Sequence, residues 1–124
     1  MPSRKPAPGR LTTHVLDTAN GQPAAGMAVA LYRIVDGDRR LITSATTNAD
    51  GRCDAPLLTG DELEAASYRL EFEIGDYFRG LGAALPRPAF LETVTLDFGV
   101  AEASGRYHVP LLVSPFGYST YRGS

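Results

Sequence analysis

Ser67-Tyr-Arg-Leu-Glu-Phe-Glu-Ile74 alternates without a break: Tyr68, Leu70, Phe72 and Ile74 are apolar, and Arg69, Glu71 and Glu73 between them are charged. Successive side chains of a strand point to opposite faces, so this is the pattern of a strand with one face on a core and one in water. The stretches on either side repeat it. Leu11 to Asp17 puts Leu11, Thr13 and Val15 on one face and Thr12, His14 and Leu16 on the other, and stops at the turn-forming cluster Asp17-Thr-Ala-Asn-Gly21. Met27–Val35 and Leu41–Thr47 read as a hairpin around Asp36-Gly37-Asp38, and Asn48-Ala49-Asp50-Gly51 makes the next turn, with Arg52 directly after its glycine. Downstream, Glu92–Phe98 alternates, Gly99–Gly105 is a loop of small residues, and Tyr107–Val113 forms a last apolar strand. Gly75–Gly82 contains Asp76-Tyr-Phe-Arg79, room for two turns of helix, and Pro86 and Pro88 prevent its extension. About seven or eight short strands with one short helix predict an all-β antiparallel sandwich. A parallel α/β fold would need helices between the strands.

The 124 residues, 44 % of them hydrophobic, suffice for one core. We expect a short, basic, proline-rich arm over residues 1–10 and a single domain over 11–124. The arm lacks the apolar segment of a secretory signal, and no apolar run reaches the roughly 18 residues that span a bilayer. A formal charge of −2 leaves no electrostatic footprint for nucleic acid or an anionic membrane, so neither is expected as a partner. Cys53 is the sole cysteine, so no internal disulfide forms; a reducing compartment, the cytosol, is expected.

The two histidines, His14 and His108, each lie on the strand face opposite the denser apolar set. A single strand histidine is most often structural. If the first and last apolar strands are neighbours, however, both imidazoles meet on one outer face, available for proton transfer near neutral pH. Pro110 offers no ladder hydrogen bond, which predicts an edge strand or a bulge near His108. No third ligand stands at metal spacing around either histidine, so no metal is expected. Ser119 lacks the second glycine of a nucleophile elbow, and no phosphate-binding or dinucleotide motif is present. Arg52 after its turn glycine is, by itself, an ordinary solvated charge. The sequence ends on Tyr121-Arg122-Gly123-Ser124, a phenol, a guanidinium, a glycine and a hydroxyl together, where most domains let their last residues fray.

Leu11-Thr-Thr-His-Val-Leu-Asp-Thr18, Gly21-Gln-Pro-Ala-Ala-Gly26, Asp50-Gly-Arg52, Gly75-Asp-Tyr-Phe78, Tyr107-His-Val-Pro-Leu-Leu112 and Tyr121-Arg-Gly-Ser124 together resemble the 5-hydroxyisourate hydrolases, the transthyretin-related enzymes of urate degradation. The resemblance spans nearly the whole chain after the arm. It implies a transthyretin-like sandwich assembled as a homotetramer, with sites in clefts where subunits meet. The implied reaction opens the cyclic amide of 5-hydroxyisourate to give 2-oxo-4-hydroxy-4-carboxy-5-ureidoimidazoline, with no cofactor. The implied site comprises His14, Arg52, His108 and Ser124 as catalytic groups, with His14, Arg52, Tyr121, Arg122 and Gly123 binding substrate. Read as the chain terminus, Ser124 would bring its hydroxyl and α-carboxylate close to Arg52 and the histidines. Spacing assigns the role of general base to neither histidine. The competing readings are a transthyretin-like carrier of a small aromatic ligand and a purely structural module.

Overall fold

In the computed structural model, which describes residues 8–123, nine strands form two stacked sheets. Strands β1 (Arg10–Asp17), β2 (Gln22–Pro23), β5 (Leu58–Thr59), β8 (Arg106–Ser114) and β9 (Gly117–Thr120) make the first. Its order is β2-β1-β8-β9, with β5 also pairing with β1. Strands β3 (Ala28–Val35), β4 (Asp38–Thr46), β6 (Ala66–Glu73) and β7 (Thr93–Val100) make the second, in the order β4-β3-β6-β7. Seven of the nine run four residues or more, matching the expected sandwich, and β2 and β5 are two-residue pairings. All pairs are antiparallel except β1 with β8, which is parallel.

The core lies between the sheets where the alternation puts it. Leu11 and Val15 of β1, Leu31 of β3, Leu70 and Phe72 of β6, and Leu111 and Val113 of β8 are all fully buried. Each such side chain contributes about 1.5–3 kcal/mol relative to exposure. Ile74, expected to end the β6 alternation, instead starts helix α1 (Ile74–Gly80), although it stays buried with Tyr77 and Phe78. The Tyr77 hydroxyl donates to Asp17 Oδ2 at 2.8 Å, tying the helix to the end of β1. Burial, with that carboxylate beside it, pushes the phenol up to about 12. Arg79 forks onto the Glu92 carboxylate at 2.6 and 2.9 Å and anchors the loop that follows.

Three expectations need correction. Strand β4 begins at Asp38, not Leu41: its residues are mostly exposed, so no alternation marks them, and the backbone ladder to β3 holds them. Strand β8 is not an edge strand, since it lies between β1 and β9, and the register shift seen among these ladders is at Leu31/Tyr32, far from His108 in sequence. Pro110 is accommodated by a break in the β8–β9 ladder, which pairs Leu111 with Thr120 through Ser114 with Gly117 and resumes only at a bridge between His108 and Gly123. The ladder is interrupted where the proline has no N–H to give. Of the proposed arm, residues 1–7 lie outside the described residues. Gly9 is buried, its carbonyl accepts from Gly60 N–H at 2.8 Å, and Arg10 already belongs to β1, so both pack with the domain expected to begin at Leu11. No helix among the described residues is long and apolar enough to cross a membrane.

Candidate active site

The parallel pairing of β1 with β8 builds the site. Its register sets Thr12 against His108 and His14 against Pro110, so the two imidazoles are diagonal neighbours on one face. Their ring centroids are 6.5 Å apart, with the planes tilted by 36°. His14 Nε2 lies 3.0 Å from the Asp50 carbonyl oxygen. A carbonyl can only accept, so Nε2 carries the proton, and in the neutral ring the Nδ1 lone pair is free. His108 Nδ1 lies 2.8 Å from Thr12 Oγ1, which leaves its Nε2 open.

Arg52 is delivered by the turn after Asn48. The Asn48 side-chain oxygen accepts from the N–H groups of Asp50 (2.9 Å) and Arg52 (3.2 Å), and Val15 N–H donates to the Gly51 carbonyl at 2.8 Å, pinning the turn against β1. Gly51 has φ of +75°, and a Cβ there would run into the Val15 carbonyl oxygen, so both conformation and space demand glycine. A bridge between His14 and Arg52 completes the connection. The guanidinium bears on His108: partial burial, then the charge of Arg52, then His14 hold its pKa below the ordinary value, so the ring is neutral at physiological pH.

Arg52 and His108 line an open cavity of about 410 Å³, together with Arg10, Thr12, Cys53 and Arg106. The Cys53 thiol is pushed up by burial and by Asp54, so it stays protonated and is a poor nucleophile. No cluster of three or more His, Cys, Asp or Glu able to hold a metal occurs among the described residues. The arrangement offers a neutral imidazole to take a proton from water, a second imidazole beside it, and a guanidinium for a developing oxyanion.

Of the residues singled out in the sequence, His14, Arg52, His108 and Gly123 come together. Gly123 donates its N–H to the His108 carbonyl at 2.7 Å. Within one chain Tyr121 and Arg122 turn elsewhere. They line a second cavity of about 400 Å³ with Tyr118 and Phe98, and the Arg122 guanidinium stacks 4.3 Å from the Tyr107 ring centroid. Ser124 lies outside the described residues. Sequence reasoning missed Thr12. Alternation placed it on the His14 face, but only the strand register shows that it opposes His108. The Asp50 carbonyl is a backbone group and leaves no residue signature.

A family model described as the HIUase/Transthyretin family matches residues 11–123. The 5-hydroxyisourate hydrolase of Ralstonia nicotianae is 60 % identical over 116 residues, which cover 94 % of this chain and 99 % of that protein. Among solved structures, 5-hydroxyisourate hydrolase from Klebsiella pneumoniae superposes with a TM-score of 0.76 at 34 % identity, covering 94 % of each chain. (S)-Allantoin synthase superposes with a TM-score of 0.88 at 44 % identity, covering 95 % of this chain; this chain spans 44 % of that longer one.

Proposed function

Because the chain belongs to the HIUase/Transthyretin family, we propose that it is a 5-hydroxyisourate hydrolase, opening the cyclic amide of that purine-derived ring with water. The observation that carries this reading is the pair of imidazoles 6.5 Å apart beside Arg52. A carrier of small ligands has no use for such a pair.

His108 is the general base. Its depressed pKa keeps it unprotonated, and as base it carries its proton on Nδ1, 2.8 Å from Thr12 Oγ1, which frees the Nε2 lone pair. His14, with Nε2–H held by the Asp50 carbonyl, uses Nδ1 to accept the second O–H of the water and orient it. Nε2 of His108 takes one proton as the water oxygen adds to the amide carbon, and Arg52 stabilises the oxyanion. The C–N bond then breaks, and the imidazolium returns its proton to the departing nitrogen. A carboxylate and a released proton remain.

The homotetramer belongs to the same proposal. Leu16 and Leu112 lie on the histidine face, and Phe116 and Tyr121 are 74 % and 61 % exposed, apolar surface that further copies of the chain would cover. Sites at such contacts could receive Tyr121, Arg122 and Ser124 where the single chain holds the first two apart from the histidines. A lone cysteine suits the cytosol. The test is spectroscopic: 5-hydroxyisourate is generated from urate in the cuvette, and its ultraviolet decay is followed with wild-type protein and with His108→Ala. Decay no faster than the spontaneous rate with the wild type would overturn the assignment.

A further inference from the structure

We propose that Arg10 and Arg106 form an anion subsite one step along the sheet from His108, taking the carboxylate that ring opening creates. The proposal rests on the reading of the site as a cyclic-amide hydrolase. The β1–β8 ladder pairs Arg10 with Arg106, Thr12 with His108 and His14 with Pro110. Residues two apart share a face, so the outer surface of these strands reads as a cationic step followed by a proton-transfer step, about 6.6 Å apart.

Both arginines are exposed, and both line the cavity that holds Arg52 and His108. Like charges placed directly opposite on neighbouring strands destabilise a sheet, and no ion pair among the described residues offsets these two. The ion pairs among the described residues engage Arg33, Arg39, Arg69 and Arg79, and none reaches Arg10, Arg52 or Arg106. In a chain of net charge −2, one cavity therefore gathers three cations with no acidic side chain among the described residues that line it. Such a cavity concentrates anions. Arg122 Nη2 donates to the Arg106 carbonyl at 3.2 Å and fixes the backbone there.

The chemistry supplies the anion. Water adds its oxygen to the amide carbon, the C–N bond breaks, the nitrogen keeps one proton, and the new carboxylic acid loses the other at neutral pH. A neutral carbonyl thus becomes a planar carboxylate beside His108, and a guanidinium fork matches that shape with two parallel hydrogen bonds.

The test needs no turnover. Orotate, a planar heterocyclic carboxylate, and uracil, the same ring without the carboxylate, are titrated by calorimetry into substrate-free wild type and into Arg10→Gln/Arg106→Gln. Both side chains are exposed, so the variant keeps its fold, as a thermal melt verifies. We expect the wild type to bind orotate about tenfold more tightly than uracil, with the margin shrinking as salt rises. In the variant the margin should largely vanish. Equal binding of the two ligands by the wild type, no binding of either, or an undiminished margin in the variant overturns the proposal. Wild-type protein that discriminates the ligands yet fails to hydrolyse 5-hydroxyisourate would remove the catalytic assignment and leave the anion subsite standing.

Discussion

Gly123→Ala places one methyl group against the His108 ring. A Cβ built on Gly123 stands 2.5 Å from His108 Cδ2 and 3.2 Å from Cγ. Relaxed carbon contacts begin near 3.5 Å, so the ring, or the segment carrying the methyl, must move by about 1 Å. Gly123 is not among the residues with positive φ, so alanine meets no backbone penalty and the effect is purely steric. Only the Gly123 N–H bond to the His108 carbonyl is at stake in the fold, and losing it costs about 1 kcal/mol. If His108 is the base proposed above, a displacement of about 1 Å there costs on the order of 10²-fold in rate, equivalent to about 2.7 kcal/mol of transition-state stabilisation. The expected variant therefore melts close to wild type and hydrolyses 5-hydroxyisourate about 10²-fold more slowly in the ultraviolet assay. Wild-type turnover in a folded Gly123→Ala protein would refute the reasoning, because it would mean that His108 need not sit where the terminal segment holds it.

The acid limb of the kcat/KM profile should fall below the ordinary histidine value of 6.5, since burial and Arg52 disfavour protonation of His108. Arg52→Gln removes one of those influences and should move the limb upward while lowering the rate, and a limb that stays in place would separate the two groups. Thr12→Val deletes the partner of His108 Nδ1 and should cut kcat about tenfold, with Thr12→Ser restoring most of it and shifting the pH profile back. If serine rescues nothing, the hydroxyl is not the operative group. Gly51→Ala forces a side chain into a left-handed conformation and onto the Val15 carbonyl, so urea denaturation should show a loss exceeding about 1–2 kcal/mol. An unchanged midpoint would show that the turn relaxes freely.

The sequence was most informative where a strand has one wet and one dry face. Tyr68, Leu70 and Phe72 announce β6 because their neighbours Arg69, Glu71 and Glu73 are only partly covered. By the same logic β9 is silent: Gly117 to Thr120 are exposed throughout, and the strand exists through its backbone ladder to β8. Pro110 suggested an edge because a proline forfeits a ladder bond, but the forfeited bond can equally fall in a gap inside the sheet, a matter of register that composition does not encode. The site shows the same division. His14 and His108 were legible as facing the same way, and Arg52 as following a turn glycine. Which strand lies beside which was not legible, and with it went the partnership of Thr12 with His108 and the pairing of Arg10 with Arg106.

The parallel joining of β1 to β8 also fixes when activity can appear as the protein folds. Thr12 and His108 are separated by 96 positions along the chain, and the strands that carry them cannot be linked by a hairpin. Closing so long a loop loses much conformational entropy before any contact compensates, so this pairing is expected to form late. Hairpins such as β3–β4 can form locally and early while the two imidazoles are still far apart. A partly folded chain would then contain every side chain of the proposed site and yet be chemically inert. Recovery of hydrolysis during refolding would mark the joining of the two ends of the chain, a slower event than the recovery of strand signal.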